Sequence, residues 1–106
     1  MHPVTLDTFT AEVLEAEEPV LVDFTAAWCP PCRAMDPILA SLTAVRVVSV
    51  DVDEQTQLAA QWGVLSMPTL LLFRNGAPVA KLVGARSRRK LELELQEALE
   101  QQPAGR

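Results

Sequence analysis

Two short apolar runs, Val20-Leu21-Val22-Asp23-Phe24 and Thr69-Leu70-Leu71-Leu72-Phe73, restrict the fold more than any other feature of the chain. Each has the length of a strand and offers no continuous polar face, so each must be covered on both sides. That requirement calls for helices above and below a sheet. After a short extended start, Leu6, Phe9, Val13 and Leu14 recur at helical spacing, with Asp7 or Thr8 as the cap and Pro19 as the stop. Cys32, Met35, Ile38, Leu39 and Leu42 mark a second helix, which Pro37 is expected to kink. The β-branched stretch from Val45 to Val52 reads as a strand. A short helix from about Glu54 to Gln61 then stops at Gly63.

Asn75-Gly76 is a hairpin turn signal and joins the second apolar run to a partner strand from Ala77 to Val83. Ser87 caps a last helix whose inner face is Leu91, Leu95, Ala98 and Leu99. The order β-α-β-α-β-α-β-β-α predicts an α/β domain: a mixed central sheet with parallel crossovers, an antiparallel edge, and helices on both faces.

The 106 residues suffice for one domain and no more, and the 49% apolar content can build a core without metal or disulfide staples. A single domain over residues 1–106 is expected, with its core from about Thr5 to Leu99 and a frayed tail at 101–106. A net charge of -5 argues against general nucleic-acid binding. Met1-His2-Pro3-Val4-Thr5 has neither the basic start nor the apolar run of a signal peptide, and no segment is long enough to span a bilayer. A cytoplasmic protein without membrane attachment is the expectation.

Only two cysteines are present, Cys29 and Cys32. A secreted disulfide scaffold needs more, and a zinc site needs about four ligands, for which only His2 at the chain end is on offer. No metal and no cofactor are expected. The pair lies where a buried strand turns into a helix, and the helix start offers free N–H groups and positive potential that stabilise a thiolate. Redox chemistry is the direct reading.

The sequence around these cysteines resembles the thioredoxin family. Val22-Asp23-Phe24, Trp28-Cys29-Pro30-Pro31-Cys32, Pro37, Met67-Pro68-Thr69, Asn75-Gly76 and Gly84 appear in the family's order, over nearly the whole chain. The resemblance implies the thioredoxin fold and protein-disulfide reduction. Cys29 is then the exposed nucleophile and Cys32 the buried resolving thiol. Asp23 is the buried aspartate that handles the proton of Cys32, and Pro68 is a cis-proline facing the disulfide. Trp28, Pro30, Pro31, Met67, Pro68, Gly84 and Ala85 are implied to line a client groove, with Gly84 allowing close backbone approach. The implied partners are a flavin-dependent, NADPH-linked thioredoxin reductase and disulfide-containing client proteins, and the implied state is a monomer. Trp62 has no role in this match and reads as packing.

Three features depart from the family pattern. Pro30 stands where thioredoxins usually have glycine, and Pro-Pro between the cysteines also resembles tryparedoxins and the membrane-anchored thioredoxins of cytochrome c maturation. The second reading is accordingly a dedicated, partner-specific oxidoreductase. Ser49 takes the place of the family's lysine near the aspartate. If Ser49 faces Asp23, that strand gives it no cation, and burial should raise its pKa. The stretch from Pro37 to Asp53 is about five residues shorter than usual. A binding module without turnover and a dimer bridging an iron–sulfur cluster are further readings, and two cysteines with Asp23 count against the former. The basic run Arg86, Arg88, Arg89 and Lys90 follows Gly84-Ala85. It is either a solvated helix face or a patch beside the groove that steers acidic partners.

Overall fold

The computed structural model describes residues 1–101. Its elements are β1 (His2–Pro3), a π-helical turn (Thr10–Leu14), β2 (Val20–Thr25), α1 (Pro30–Ala40), β3 (Arg46–Asp51), α2 (Thr56–Gln61), β4 (Thr69–Arg74), β5 (Ala77–Val83) and α3 (Arg88–Gln101). The strands form one sheet in the order β1-β3-β2-β4-β5. The pairs β1–β3 and β2–β3 are parallel, whereas β2–β4 and β4–β5 are antiparallel. This is the mixed sheet expected from the element order.

Side chains alternate along each strand, and the two apolar runs therefore feed two cores. Val20, Val22, Phe24, Val48, Val50, Leu71 and Phe73 lie on one face, covered by Phe9, Val13 and, from α2, Leu58 and Ala59. Phe9, Trp62 and Phe73 meet there with ring centroids 5.7, 5.6 and 5.0 Å apart. Each such pair contributes about 0.5–1.5 kcal/mol beyond its buried area. Trp62 is thus the packing residue the sequence suggested. On the other face Leu21, Leu70 and Leu72 pack against Met35 and Leu39 of α1 and Leu91 and Leu95 of α3. Asp23, two residues after Leu21, falls by alternation on this second face, beneath α1.

Local boundaries differ from expectation where a polar group intervenes. No side chain caps the first helical segment, whose preceding residue is Phe9. Thr8 instead accepts the Thr5 N–H at 2.9 Å in a turn, and Glu15 N–H reaches back five residues to the Thr10 carbonyl. Burial of Phe9 and Val13, rather than a cap, holds so short a segment. Helix α1 continues through Pro37 to Ala40, and Leu42 lies past its end while still packing on the core. Helix α2 begins at Thr56 because Asp51 Oδ1 first captures the N–H groups of Asp53 and Glu54, at 2.9 and 3.2 Å. The expected stops and turns are present. Gly63 has φ +68°, and Asn75 and Gly76 have φ 55° and 81°. Ser87 Oγ accepts the Lys90 N–H at 3.2 Å. Apart from Gln101, which ends α3, the expected tail lies outside the described residues.

Candidate active site

The turn after β2 delivers Cys29 to the N-cap of α1. Pro30 and Pro31 fill the first two helical positions, where a missing N–H costs nothing. Cys32 is therefore the first backbone donor of the helix, and its N–H points at Cys29 Sγ, 3.2 Å away. The two cysteines form a disulfide with a Cα–Cα distance of 5.3 Å. A thiolate released at Cys29 would meet that N–H and the positive end of α1, both of which favour the anion.

The expectation of an exposed Cys29 does not hold for the disulfide form. Cys29 is 3% exposed and Cys32 1%. Both pack with Ala26 and lean on Val52 and Met67, which shelter the sulfurs from solvent. Trp28 beside them is 64% exposed, and its indole N–H donates to the Asp53 carboxylate at 2.7 Å. Trp28 is thus a surface side chain held by a hydrogen bond.

The Met67–Pro68 peptide is cis. The Met67 carbonyl oxygen stands 3.8 Å from Cys29 Sγ, and the Pro68 carbonyl accepts the Gly84 N–H at 2.8 Å. The entrance to β4 and the exit of β5 are thereby joined beside the disulfide. Gly84 has φ +95°, yet a Cβ placed on it would meet no atom within 4 Å. Its glycine is required by backbone conformation, and the space over its Cα is open. Ala85, Pro30 and Pro31 are exposed at the rim.

Asp23 pairs in register with Ser49 on β3 and Leu70 on β4, so β3 offers it no cation, as expected. It is 1% exposed, and its Oδ1 accepts no hydrogen bond among the described residues. Asp23 lines a cavity of about 430 Å³ together with Arg33 and Asp36 of α1 and Ser49 and Asp51 of β3. Neither cysteine belongs to that lining. Arg33 Nε and Asp36 Oδ2 are 3.2 Å apart, and Arg33 also donates to Thr25 Oγ1 at 2.8 Å. Burial pushes the Asp23 carboxyl up from an ordinary 3.8 to about 7, the Asp36 charge adds to the rise, and Arg33 opposes it.

The thioredoxin family model matches residues 1–97. The chain belongs to the thioredoxin family. It is 43% identical over 103 residues to thioredoxin of Mycolicibacterium smegmatis, covering 91% of this chain and 92% of that one. It is 44% identical over 92 residues to thioredoxin of Streptomyces clavuligerus, with 83% and 86% covered. Thioredoxin of Alicyclobacillus acidocaldarius is 42% identical over 94 residues, with 84% and 90% covered. Fold, cysteine pair and relatives together make this chain a protein thiol–disulfide oxidoreductase with the thioredoxin fold. They do not favour the partner-specific alternative suggested by Pro30. Among the described residues no helix is long and apolar enough to cross a membrane.

The basic run divides. The Arg86 side chain is only 8% exposed and is bonded to Glu94 and to backbone carbonyls, so it is not part of a steering patch. Arg88 is drawn to Ser41 and Glu92. Arg89 and Lys90 are exposed, with no ion pair among the described residues. Sequence reasoning missed Arg33, Asp36 and Asp53 as neighbours of the site. A signal for one of them existed: Asp36 follows Cys32 by four residues and so shares its helix face.

Proposed function

We propose that this chain reduces disulfides of client proteins, with Cys29 as the attacking thiol and Cys32 as the resolving one. The Cys29 thiolate attacks one client sulfur, forming a mixed disulfide and releasing the other client sulfur as a thiolate. Cys32 then attacks Cys29 Sγ, closing the Cys29–Cys32 disulfide and freeing the client's second sulfur. Holding the two thiols at one helix end makes the second step effectively unimolecular. The observation that carries this order is the hydrogen bond from Cys32 N–H to Cys29 Sγ at the start of α1, because it favours the anion on Cys29.

Asp23 serves as the base for the Cys32 proton. A carboxyl poised near 7 can accept and return a proton at neutral pH. An extended client segment lies across Trp28, Pro30, Pro31, Met67, Pro68, Gly84 and Ala85, with its backbone along Met67. The chain acts as one monomeric domain over residues 1–106 in the cytoplasm. A flavin-dependent, NADPH-linked thioredoxin reductase returns it to the dithiol. The named thioredoxin relatives support that assignment.

Mixed-disulfide trapping tests the order of the thiols. Cys32→Ser should accumulate client adducts on Cys29, whereas Cys29→Ser should accumulate none, and equal trapping by both would overturn the assignment. Equilibration with glutathione tests the direction. A potential near the thioredoxin range, about -270 mV, fits a reductase, and one near -120 mV fits an oxidant.

A further inference from the structure

Arg86 is a buried cation whose bonds converge on the groove. Its Nη1 lies 2.7 Å from each carboxylate oxygen of Glu94. Its Nη2 donates to the Val83 carbonyl at 2.7 Å, and its Nε to the Gly84 carbonyl at 3.2 Å. Its backbone N–H contacts Met35 Sδ at 3.4 Å, and Met35 lies in α1, three residues after Cys32. The Glu94 side chain is 28% exposed, so the pair has a buried end and a wetter one. Gly84 in turn gives its N–H to the Pro68 carbonyl. One guanidinium thus ties α3, the exit of β5 and, through Gly84, the proline loop that flanks Cys29. A planar fork is suited to this, since it meets a carboxylate and two carbonyls at fixed angles.

We propose that Arg86, held by Glu94, is a positioning residue for client recognition that sets the Gly84 wall of the groove against Pro68. It touches no sulfur and takes no part in exchange itself. The inference rests on the client groove proposed above and assigns a residue that controls its shape. Without the fork, the Val83 and Gly84 carbonyls lose their partners, and the segment after β5 is free to move off Pro68. Small disulfides need only the sulfur of Cys29, whereas a protein client also needs the wall.

Two substrates separate these roles in the full chain. Insulin serves as the protein disulfide, reduced with dithiothreitol as electron donor, and dithiobis-nitrobenzoate as the small one, mixed with the pre-reduced protein. Arg86→Leu should raise KM for insulin roughly tenfold, as expected for a displaced binding wall, with kcat and the rate on the small disulfide unchanged. Arg86→Lys retains a charge for Glu94 but not the fork, and should give an intermediate KM. Glu94→Gln takes away the charge that holds Arg86 and should also raise KM for insulin, by less than Arg86→Leu, with the rate on the small disulfide unchanged. A parental KM in Arg86→Leu would overturn the proposal, as would equal losses on both substrates. If Arg86→Leu does not fold, a parental KM in Arg86→Lys overturns it instead. A parent protein that reduces neither substrate would sink the proposed function itself, a distinct result.

Discussion

Asp23 and Arg86 are both charged side chains taken out of water, and they are held in opposite ways. Asp23 is 1% exposed and its Oδ1 accepts no hydrogen bond among the described residues. Arg86 has an 8% exposed side chain, with every terminal nitrogen bonded to a carboxylate or a carbonyl. A buried charge with partners is fixed in one state, and an arginine does not titrate in any case. A buried carboxyl whose Oδ1 accepts no hydrogen bond lies where its two protonation states come close in energy near neutrality. Burial alone therefore does not mark a reactive group in this fold. The difference lies in what the surroundings supply.

Removing the partnered charge has the largest expected effect. Arg86→Leu leaves Glu94 and two carbonyls without their donor, and should cost about 2–4 kcal/mol in urea unfolding at pH 7, since Glu94 keeps partial access to water. A loss below about 0.5 kcal/mol, the level of an ordinary surface change, would mean that the bonds of Arg86 carry no weight.

Removing the Asp23 charge should have the opposite sign. Below pH 3.8 Asp23 is protonated in both the folded and unfolded chain, and its raised pKa costs nothing. As pH rises from there to about 7, the folded state keeps a proton that the unfolded state has lost, so stability falls. Above about 7 the penalty is complete. Asp23→Asn should therefore stabilise the fold at pH 8 by on the order of 1–3 kcal/mol relative to its effect at pH 4, and should slow resolution by Cys32. Urea unfolding of both proteins at the two pH values checks the first claim, and the decay of a mixed disulfide checks the second. An equal effect at both pH values would show that Asp23 is not the group that titrates.

A finer test separates the charges around Asp23. Asp36→Asn should lower the Asp23 midpoint from about 7, and Arg33→Gln should raise it, because Asp36 disfavours the carboxylate and Arg33 favours it. Carbon-detected NMR titration of the Asp23 carboxyl reads both shifts. Movement of both variants in the same direction would remove this electrostatic account. The smallest effect belongs to Arg89 and Lys90, which are exposed and have no ion pair among the described residues. Replacing both with Gln should change stability by less than about 0.5 kcal/mol. It should slow turnover by thioredoxin reductase only at low salt, where steering operates. Loss of turnover that persists at high salt would indicate a direct contact instead.

Local pattern was enough for much of this protein. Uniform apolar runs at 20–24 and 69–73 defined the buried strands, because a strand with no polar face has nowhere else to go. Asn75-Gly76 marked the hairpin, since two successive positive φ angles are cheapest for those residues. Cys29 and Cys32 at a strand-to-helix turn identified the redox pair, because helix starts stabilise thiolates. Alternation along β3 put Ser49 on one face with Val47 and Asp51, and the register of β2 on β3 then set it beside Asp23.

What the chain alone did not reveal depends on distances that no local period encodes. Arg86 and Arg88 stand two residues apart in one basic run, yet one is buried in a fork of bonds and the other is half-exposed. That difference arises only when α3 packs over the exit of β5 and brings Glu94 to the guanidinium. Trp28 finds Asp53 across 25 residues of sequence, and Asp23 meets Arg33 and Asp36 only because α1 folds back over β2. Periodicity sets which face of an element is apolar, for that is a property of neighbouring residues. The partner of a buried charge is set by which elements come together, and in this protein that left the Asp23 carboxyl poised near 7 while binding Arg86 to Glu94 and two carbonyls.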